Sequence, residues 1–352
     1  MGAHRPRLVL LAALVLGAAL VLVAPSGAAQ PTTFTVTPLV SDQPGVAPVT
    51  DPDLVNAWGL VSGPTTPWWV NDNGTGLSTL YRGSDGAKQA LKVTVPDGPT
   101  GVVFNSTTSG FQLPTGGKAL FLFDGEDGIV RAWNSAQSTA AIVVANLSDG
   151  AIYKGLALAD TPSGPRIYAA DFHNRRMDVF DTTFTLVPSS GFTDPSLPKR
   201  FAPFNVQVIG NRVFVAYAKQ DEEAEDEAPG QGRGFVDVYD LAGNLLGGID
   251  GHGQLNAPWG MALAPAGVPN FGGDLLVGNF GDGLINAYRE DSPNHFVHDG
   301  KIRGADNRPL AIDGLWALQF GQGGNNAPVG TLFFTAGPDD ESHGLFGQIK
   351  PN

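Results

Sequence analysis

The sequence predicts an all-β fold, a six-bladed β-propeller. Three observations carry the prediction. Apolar runs of about five residues, separated by Gly, Pro, Asn or Asp, recur along the chain, as consecutive antiparallel strands joined by turns do. The spacing is regular: Trp58 to Trp259 covers 201 residues in four steps, or about 50 per repeat, which fits a blade of three or four strands. Gly (47) and Pro (27) make up about a fifth of the 352 residues, a composition of many turns and few helices.

The clearest repeat is 255–289, LNAPWGMALAPAGVPNFGGDLLVGNFGDGLINAYR, with runs at Trp259–Leu263, Asp274–Gly278 and Leu284–Tyr288. Its first strand recurs around Trp58-Gly59-Leu60, Gly101-Val102-Val103, Gly155-Leu156-Ala157, Asn205-Val206-Gln207, Trp259-Gly260-Met261 and Leu315-Trp316-Ala317. Second and third strands follow each, from Pro67–Val70 and Leu77–Tyr81 in the first copy to Gly330–Phe334 and Gly344–Ile349 in the last. Six copies make six blades, over about 51–98, 99–148, 149–200, 201–252, 253–309 and 310–352. Lys88–Val95, Ala140–Asn146 and Leu245–Ile249 are the outer strands expected in the first, second and fourth.

Ahead of the repeats, His4, Arg5 and Arg7 form a basic head, Leu8–Ala24 is an apolar run, and Ser26–Ala29 supplies small residues. That order is the pattern of a secretory signal peptide. Cleavage is expected after Ala29, with Ala28 as the alternative, leaving residues 30–352 as one exported propeller domain. The apolar run, 17 residues, is short of the ~20 that a spanning helix needs. The mature chain has no second apolar stretch that could cross a membrane.

Phe34–Val40 (FTVTPLV) alternates at its start and reads as a strand without a repeat of its own. The last repeat lacks an outer strand. Pairing the two closes the ring through the chain ends and removes an exposed sheet edge.

The net charge of −13 and the absence of a basic cluster in the mature chain argue against nucleic acid as a partner. No cysteine is present, which excludes a thiol nucleophile and thiolate metal sites. No GxSxG elbow, P-loop or HExxH motif occurs. One insertion, Asp221–Glu227 (DEEAEDE), carries six carboxylates in seven residues. A charge block of this kind is ordinarily a solvated loop. Its spacing does not match a calcium loop of the EF-hand type.

In a propeller, the start of each inner strand and the turn between the second and third strands lie at the same end, because strands alternate direction. Asp72, Lys154, Asp171, His173, Lys219, Asn279 and Asp313 fall at these places and are the candidate ligand-binding residues. Asn, Asp and Gly are also what tight turns demand. Lys154, His173 and Lys219 are not explained by turn geometry, since none favours positive φ. Trp58, Trp259 and Trp316 are expected to wedge between blades.

Motifs such as LVSDQPGVAPVTDPDLVNAWGL, WWVNDNGTGLSTLY, YAADFHNRRMDVFD, LNAPWGMALAPAG, GDLLVGNFGDGLINAY and LFFTAGPDDESHGLFG run collinearly through the chain. In these the whole mature chain resembles a family of uncharacterised, exported bacterial propellers, also found in fungi, with an NHL-like six-bladed fold. Some members end in a PEP-type sorting tail, and no such tail precedes Asn352. The resemblance implies the fold and no activity. Two classes of function are expected: a ligand-binding or scaffolding module with a polar site at the channel mouth, or a divalent-metal-assisted hydrolase of lactonase type. In the second, by analogy of fold, Asp72, Asp171, Asn279 and Asp313 would hold a cation such as calcium and His173 would serve as base. The partner in the first is a small molecule, a glycan or a protein.

Overall fold

The computed structural model describes residues 1–2, 32–188, 191–249 and 253–352. All but two residues of the expected leader therefore lie outside the described residues. The chain divides into two units, Met1–Pro31 and Thr32–Asn352, and among the described residues every strand belongs to the second. Among the described residues no helix is long and apolar enough to cross a membrane.

The strands form antiparallel meanders. The first contains Ala57–Val61, Trp68–Asp72, Leu77–Tyr81 and Lys88–Thr94. The second contains Pro99–Phe104, Phe121–Gly125, Ile129–Trp133 and Ile142–Asn146. The third contains Tyr153–Ala159, Arg166–Asp171, Arg176–Phe180 and the short Leu186–Val187. The fourth contains Phe201–Ile209, Arg212–Lys219, Gly234–Asp240 and Leu245–Ile249. The fifth contains Pro258–Leu263, Leu275–Asn279, Ile285–Ser292 and His295–Lys301. The sixth contains Leu315–Phe320, Leu332–Ala336 and Leu345–Pro351.

Phe34–Ser41 fills the outer place of the sixth meander, antiparallel to Leu345–Pro351 from Phe34↔Pro351 to Ser41↔Leu345. The imidazole of His343 and the carboxylate of Asp42, 2.7 Å apart, tie the same two segments together. Parallel pairings have no counterpart in the sequence reading: Val49–Thr50 adds to Phe34–Ser41 at Val40↔Val49, and Thr94 bridges Ala140. The outer strands of the fourth and fifth meanders join in parallel at Gly248↔His295 and Ile249↔Phe296, making one eight-stranded sheet.

Each inner strand lies beside the next, and the sixth lies beside the first. Such close approach needs small residues. A Cβ on Gly59 would sit 2.2 Å from the Thr100 carbonyl oxygen of the next inner strand, and one on Gly260 would sit 2.6 Å from that of Trp316.

All six inner strands also break register with the second strand at the same place. A bulge re-aims side chains, because an extra residue interrupts the period-two alternation. The residues at the break are Trp58, Thr100, Lys154, Phe204, Trp259 and Trp316. Trp58 and Trp316 stack with centroids 3.6 Å apart, and Trp259 meets them edge-on at 6.4 and 6.0 Å. Phe204 lies 5.8 Å and Phe280 4.0 Å from Trp316. The expectation that the three tryptophans wedge between blades is thereby corrected. They come from the first, fifth and sixth meanders and meet on the axis, where they form an aromatic layer across it.

Candidate functional site

The upper end of the axis, where the inner strands begin, carries the polar cluster. Lys154 occupies the register break at which three other inner strands carry tryptophan. Its ammonium lies 5.3 Å from the Trp58 ring centroid, within cation–π range. The side chain is 1% exposed and its nitrogen reaches Glu126 at 2.5 Å and Asp226 at 2.8 Å, carboxylates that are 32% and 68% exposed. Burial alone would pull the Lys154 ammonium down; the carboxylates of Glu126, Asp226 and Glu227 outweigh it and hold its pKa above the ordinary lysine value.

Asparagines bind this cluster to the neighbouring blades. Asn73 donates to the second oxygen of Glu126 at 2.9 Å. Asn56 donates to Asn73 at 3.2 Å and to Glu341 at 2.6 Å, while its own oxygen accepts from the Trp316 indole at 2.9 Å. The network therefore rests directly on the aromatic layer. Burial pushes Glu227 up to about 8, against the opposing pull of Lys154. Burial also raises Glu341, which feels the repulsion of Glu126 and Asp226. Four carboxylates, Glu126, Asp226, Glu227 and Glu341, thus share one buried ammonium.

Two of these belong to the acidic insertion, which is pinned at several points rather than free in solvent. A bridge between Gln220 and Glu227 closes its base. The Arg200 guanidinium donates to the Asp221 carbonyl, and the His173 ring reaches the Ala224 carbonyl at 3.0 Å through Nδ1. With Nδ1–H as donor, His173 holds the loop, the structural role of a hydrogen-bonded histidine. Glu222, Glu223 and Glu225 remain exposed on the outside.

Of the seven sequence candidates, Lys154 sits at the centre of the cluster and His173 supports it through the loop. Asp72, Asp171 and Asn279 do not join it. They occupy the same register position in three meanders, opposite Ala57, Tyr153 and Pro258, and their side chains turn back into their own hairpins. Asp171 accepts from the backbone and side chain of Asn174 at 3.1 and 2.8 Å and pairs with Arg176 at 3.1 Å; burial raises its pKa, and the bonds from Asn174 oppose the rise. Asn279 donates to Asp282 at 3.0 Å and to the Gln254 carbonyl at 2.9 Å. Asp72 is fully buried with neither oxygen hydrogen-bonded. Burial drives its pKa well up, and repulsion from Asp51 and Asp53 adds to this.

Asp313 is exposed and accepts from the Asp339 backbone at 3.0 Å. Lys219 is partly exposed and forms no ion pair among the described residues. The proposed metal set Asp72, Asp171, Asn279 and Asp313 is accordingly spread over four separate hairpins. Among the described residues no group of three or more His, Asp or Glu is placed to hold a metal ion.

Glu126, Asp226, Glu227 and Glu341 were absent from the sequence candidates. Each lies in a turn after a second strand. A signal for them was present: the strand-end residue faces its own hairpin, and only residues beyond it, such as Asn73 and Glu126, reach over the axis.

The meanders around a common axis and the polar cluster at one end define a β-propeller with a charged mouth. No family profile matches the chain. It is 31% identical over 338 residues to "Uncharacterized protein L690" of Acanthamoeba polyphaga mimivirus, covering 90% of this chain and 86% of that protein, and it belongs to the same family. Among solved structures, a structural genomics protein of unknown function from Bacteroides thetaiotaomicron is similar with a TM-score of 0.55, 11% identity, and coverage of 91% of this chain and 76% of that one. Virginiamycin B lyase from Staphylococcus aureus is similar with a TM-score of 0.50, 13% identity, and coverage of 90% and 99%. At these identities the likeness speaks for the fold alone.

Proposed function

We propose that the protein is an exported, six-bladed binding propeller, closed by its N-terminal strand, that takes a cationic group at its upper mouth. The observation that carries the reading is the charge balance there: one buried ammonium faces Glu126, Asp226, Glu227 and Glu341. A ligand approaching from solvent meets carboxylates and amides, with the lysine beneath them. Uncompensated carboxylates at short range repel one another, and a cation relieves that repulsion. The ligand is a small molecule or a basic side chain of a protein; nucleic acid does not fit an acidic mouth. Export rests on the leader pattern of residues 1–29 and on the resemblance of the motifs to exported bacterial and fungal propellers. N-terminal sequencing of secreted protein is expected to begin at Ala29 or Gln30.

The metal-assisted hydrolase is the weaker reading, since it requires several oxygens on one point and its four candidates each serve a different hairpin. A thermal-unfolding titration separates the two. Putrescine, a small diamine, is expected to raise the midpoint of the wild type with concentration, as a ligand of the native state must, and to lose that effect in Glu227→Gln/Glu341→Gln. A rise with calcium or magnesium and none with putrescine would overturn the proposal in favour of the metal site.

A further inference from the structure

The lower end of the axis, beneath the aromatic layer, holds a cavity of about 270 Å³. Trp259 lies in its wall, and the other walls come from the far halves of the inner strands, including Leu156, Met261 and Leu318. Although the chain has 34 acidic and 21 basic residues, no charged side chain lines this space among the described residues. Its polar side chains are hydroxyls and carboxamides.

Two of those polar groups lack partners. Ser62 Oγ and Gln319 Oε1 are buried without a hydrogen bond, and Ser62 as a whole is 2% exposed. A buried acceptor without a donor is costly, so a donor is the missing component. The repeat gives a second, independent observation. Counting from the register break, one inner-strand position is Val61, Val103, Ala157, Gln207, Ala262 and Gln319 in the six meanders. Four copies are apolar. The fourth and sixth are glutamines, and both line the cavity. Packing alone would be served by a valine or alanine at either place, as it is in the other four copies.

We propose that this lower cavity is a second binding site, distinct from the charged mouth, for a compact neutral molecule bearing hydroxyl or amide donors. Gln319 Oε1 accepts from the ligand, Ser62 Oγ accepts or donates, and the Gln207 carboxamide supplies both a donor and an acceptor. The apolar walls and Trp259 bury the carbon skeleton, in keeping with the usual make-up of small-molecule pockets. Charged analogues are rejected, because nothing in the cavity compensates an ion removed from water. The volume corresponds to on the order of ten non-hydrogen atoms, judged against the ~30 Å³ share of a water molecule.

The test is ligand-observed saturation-transfer NMR on the full protein with four probes: D-glucose and acetamide as neutral donors, acetate and methylammonium as charged counterparts. Acetate is nearly isosteric with acetamide, so that pair isolates charge. Binding of glucose or acetamide with a Kd on the order of millimolar is expected, and which of the two binds identifies the polyol or amide source. Gln319→Met, close in shape and without the acceptor, is expected to weaken binding about tenfold while its melting midpoint stays at or above that of the wild type. Ser62→Ala, which removes the other unpaired oxygen, gives the same reading independently. Absence of binding by both neutral probes, equal binding by acetate, or unchanged affinity in both variants would overturn the proposal.

Discussion

Lys154→Met is expected to cost less than removing the carboxylates that Lys154 binds, although each change breaks the same ion pairs. The reason is the asymmetry of exposure: the lysine is 1% exposed, Glu126 32% and Asp226 68%. Methionine keeps much of the side-chain length and can still pack on Trp58. The two carboxylates left behind are reached by water, which takes over part of their solvation, so the loss is about 1–2 kcal/mol. Glu126→Gln/Asp226→Asn instead strands a buried ammonium, for which breaking a buried pair costs about 3–5 kcal/mol. Combining all three changes removes the ammonium together with both carboxylates that pair with it, and the triple variant is expected to recover most of the loss of the double variant. Urea unfolding measures this as midpoints at constant slope, and the cycle isolates the interaction between the two sides. A Lys154→Met variant as unstable as the carboxylate double variant, or more so, would refute the reasoning, since the lysine would then not be the poorly hydrated member.

Deleting Phe34–Ser41 removes the buried side chains of Phe34, Leu39 and Val40 from the sheet of the sixth meander. At about 1.5–3 kcal/mol each the loss approaches the whole stability of a typical domain, and an unchanged melting curve would contradict the closure role of that strand. Stability is also expected to fall as pH rises from about 5 to 8. Burial lifts Glu227 to about 8, and lifts Asp124 and Asp237 to about 7. The folded state therefore holds protons that the unfolded chain releases above the ordinary carboxylate pKa of about 4. This gain is present at low pH and is lost through those folded values. Urea midpoints at several pH values check the sign, and Glu227→Gln should flatten the slope between pH 7 and 8. Gly59→Ala, whose Cβ would lie 2.2 Å from the Thr100 carbonyl, is expected to destabilise by about 1–3 kcal/mol as an overpacking change; a neutral effect in the same assay would argue against the close contact of neighbouring inner strands.

Much of the architecture was legible because a propeller repeats. Six recurring sets of short apolar runs, and a lone strand ahead of the first copy, sufficed to anticipate the meanders and the pairing of Phe34–Ser41 with Leu345–Pro351. The parallel junction at Gly248↔His295 was not legible, since it joins outer strands whose apolar pattern is weak. At the site, Lys154 lies with Glu126 and Asp226 of the turns that follow the second strands. Side-chain direction was the source of error. Asp72 belongs to the strand and faces its own hairpin, whereas Asn73, one residue on, lies in a short 3₁₀ turn and reaches Glu126. The register break that turns Trp58, Trp259 and Trp316 onto the axis is a backbone feature with no marker in the apolar pattern. The acidic insertion read as a solvated charge block because its anchors, Lys154 and His173, come from another repeat.

The most direct test of the charged mouth is a crystal structure of the protein soaked with putrescine near pH 8, where Glu227 is substantially ionised. A diamine nitrogen is expected within about 3 Å, the length of a charge-assisted hydrogen bond, of carboxylate oxygens from at least two of Glu126, Asp226, Glu227 and Glu341, with Lys154 still paired beneath it. An empty mouth in a crystal that holds putrescine elsewhere, or a diamine bound away from these carboxylates, would contradict this expectation.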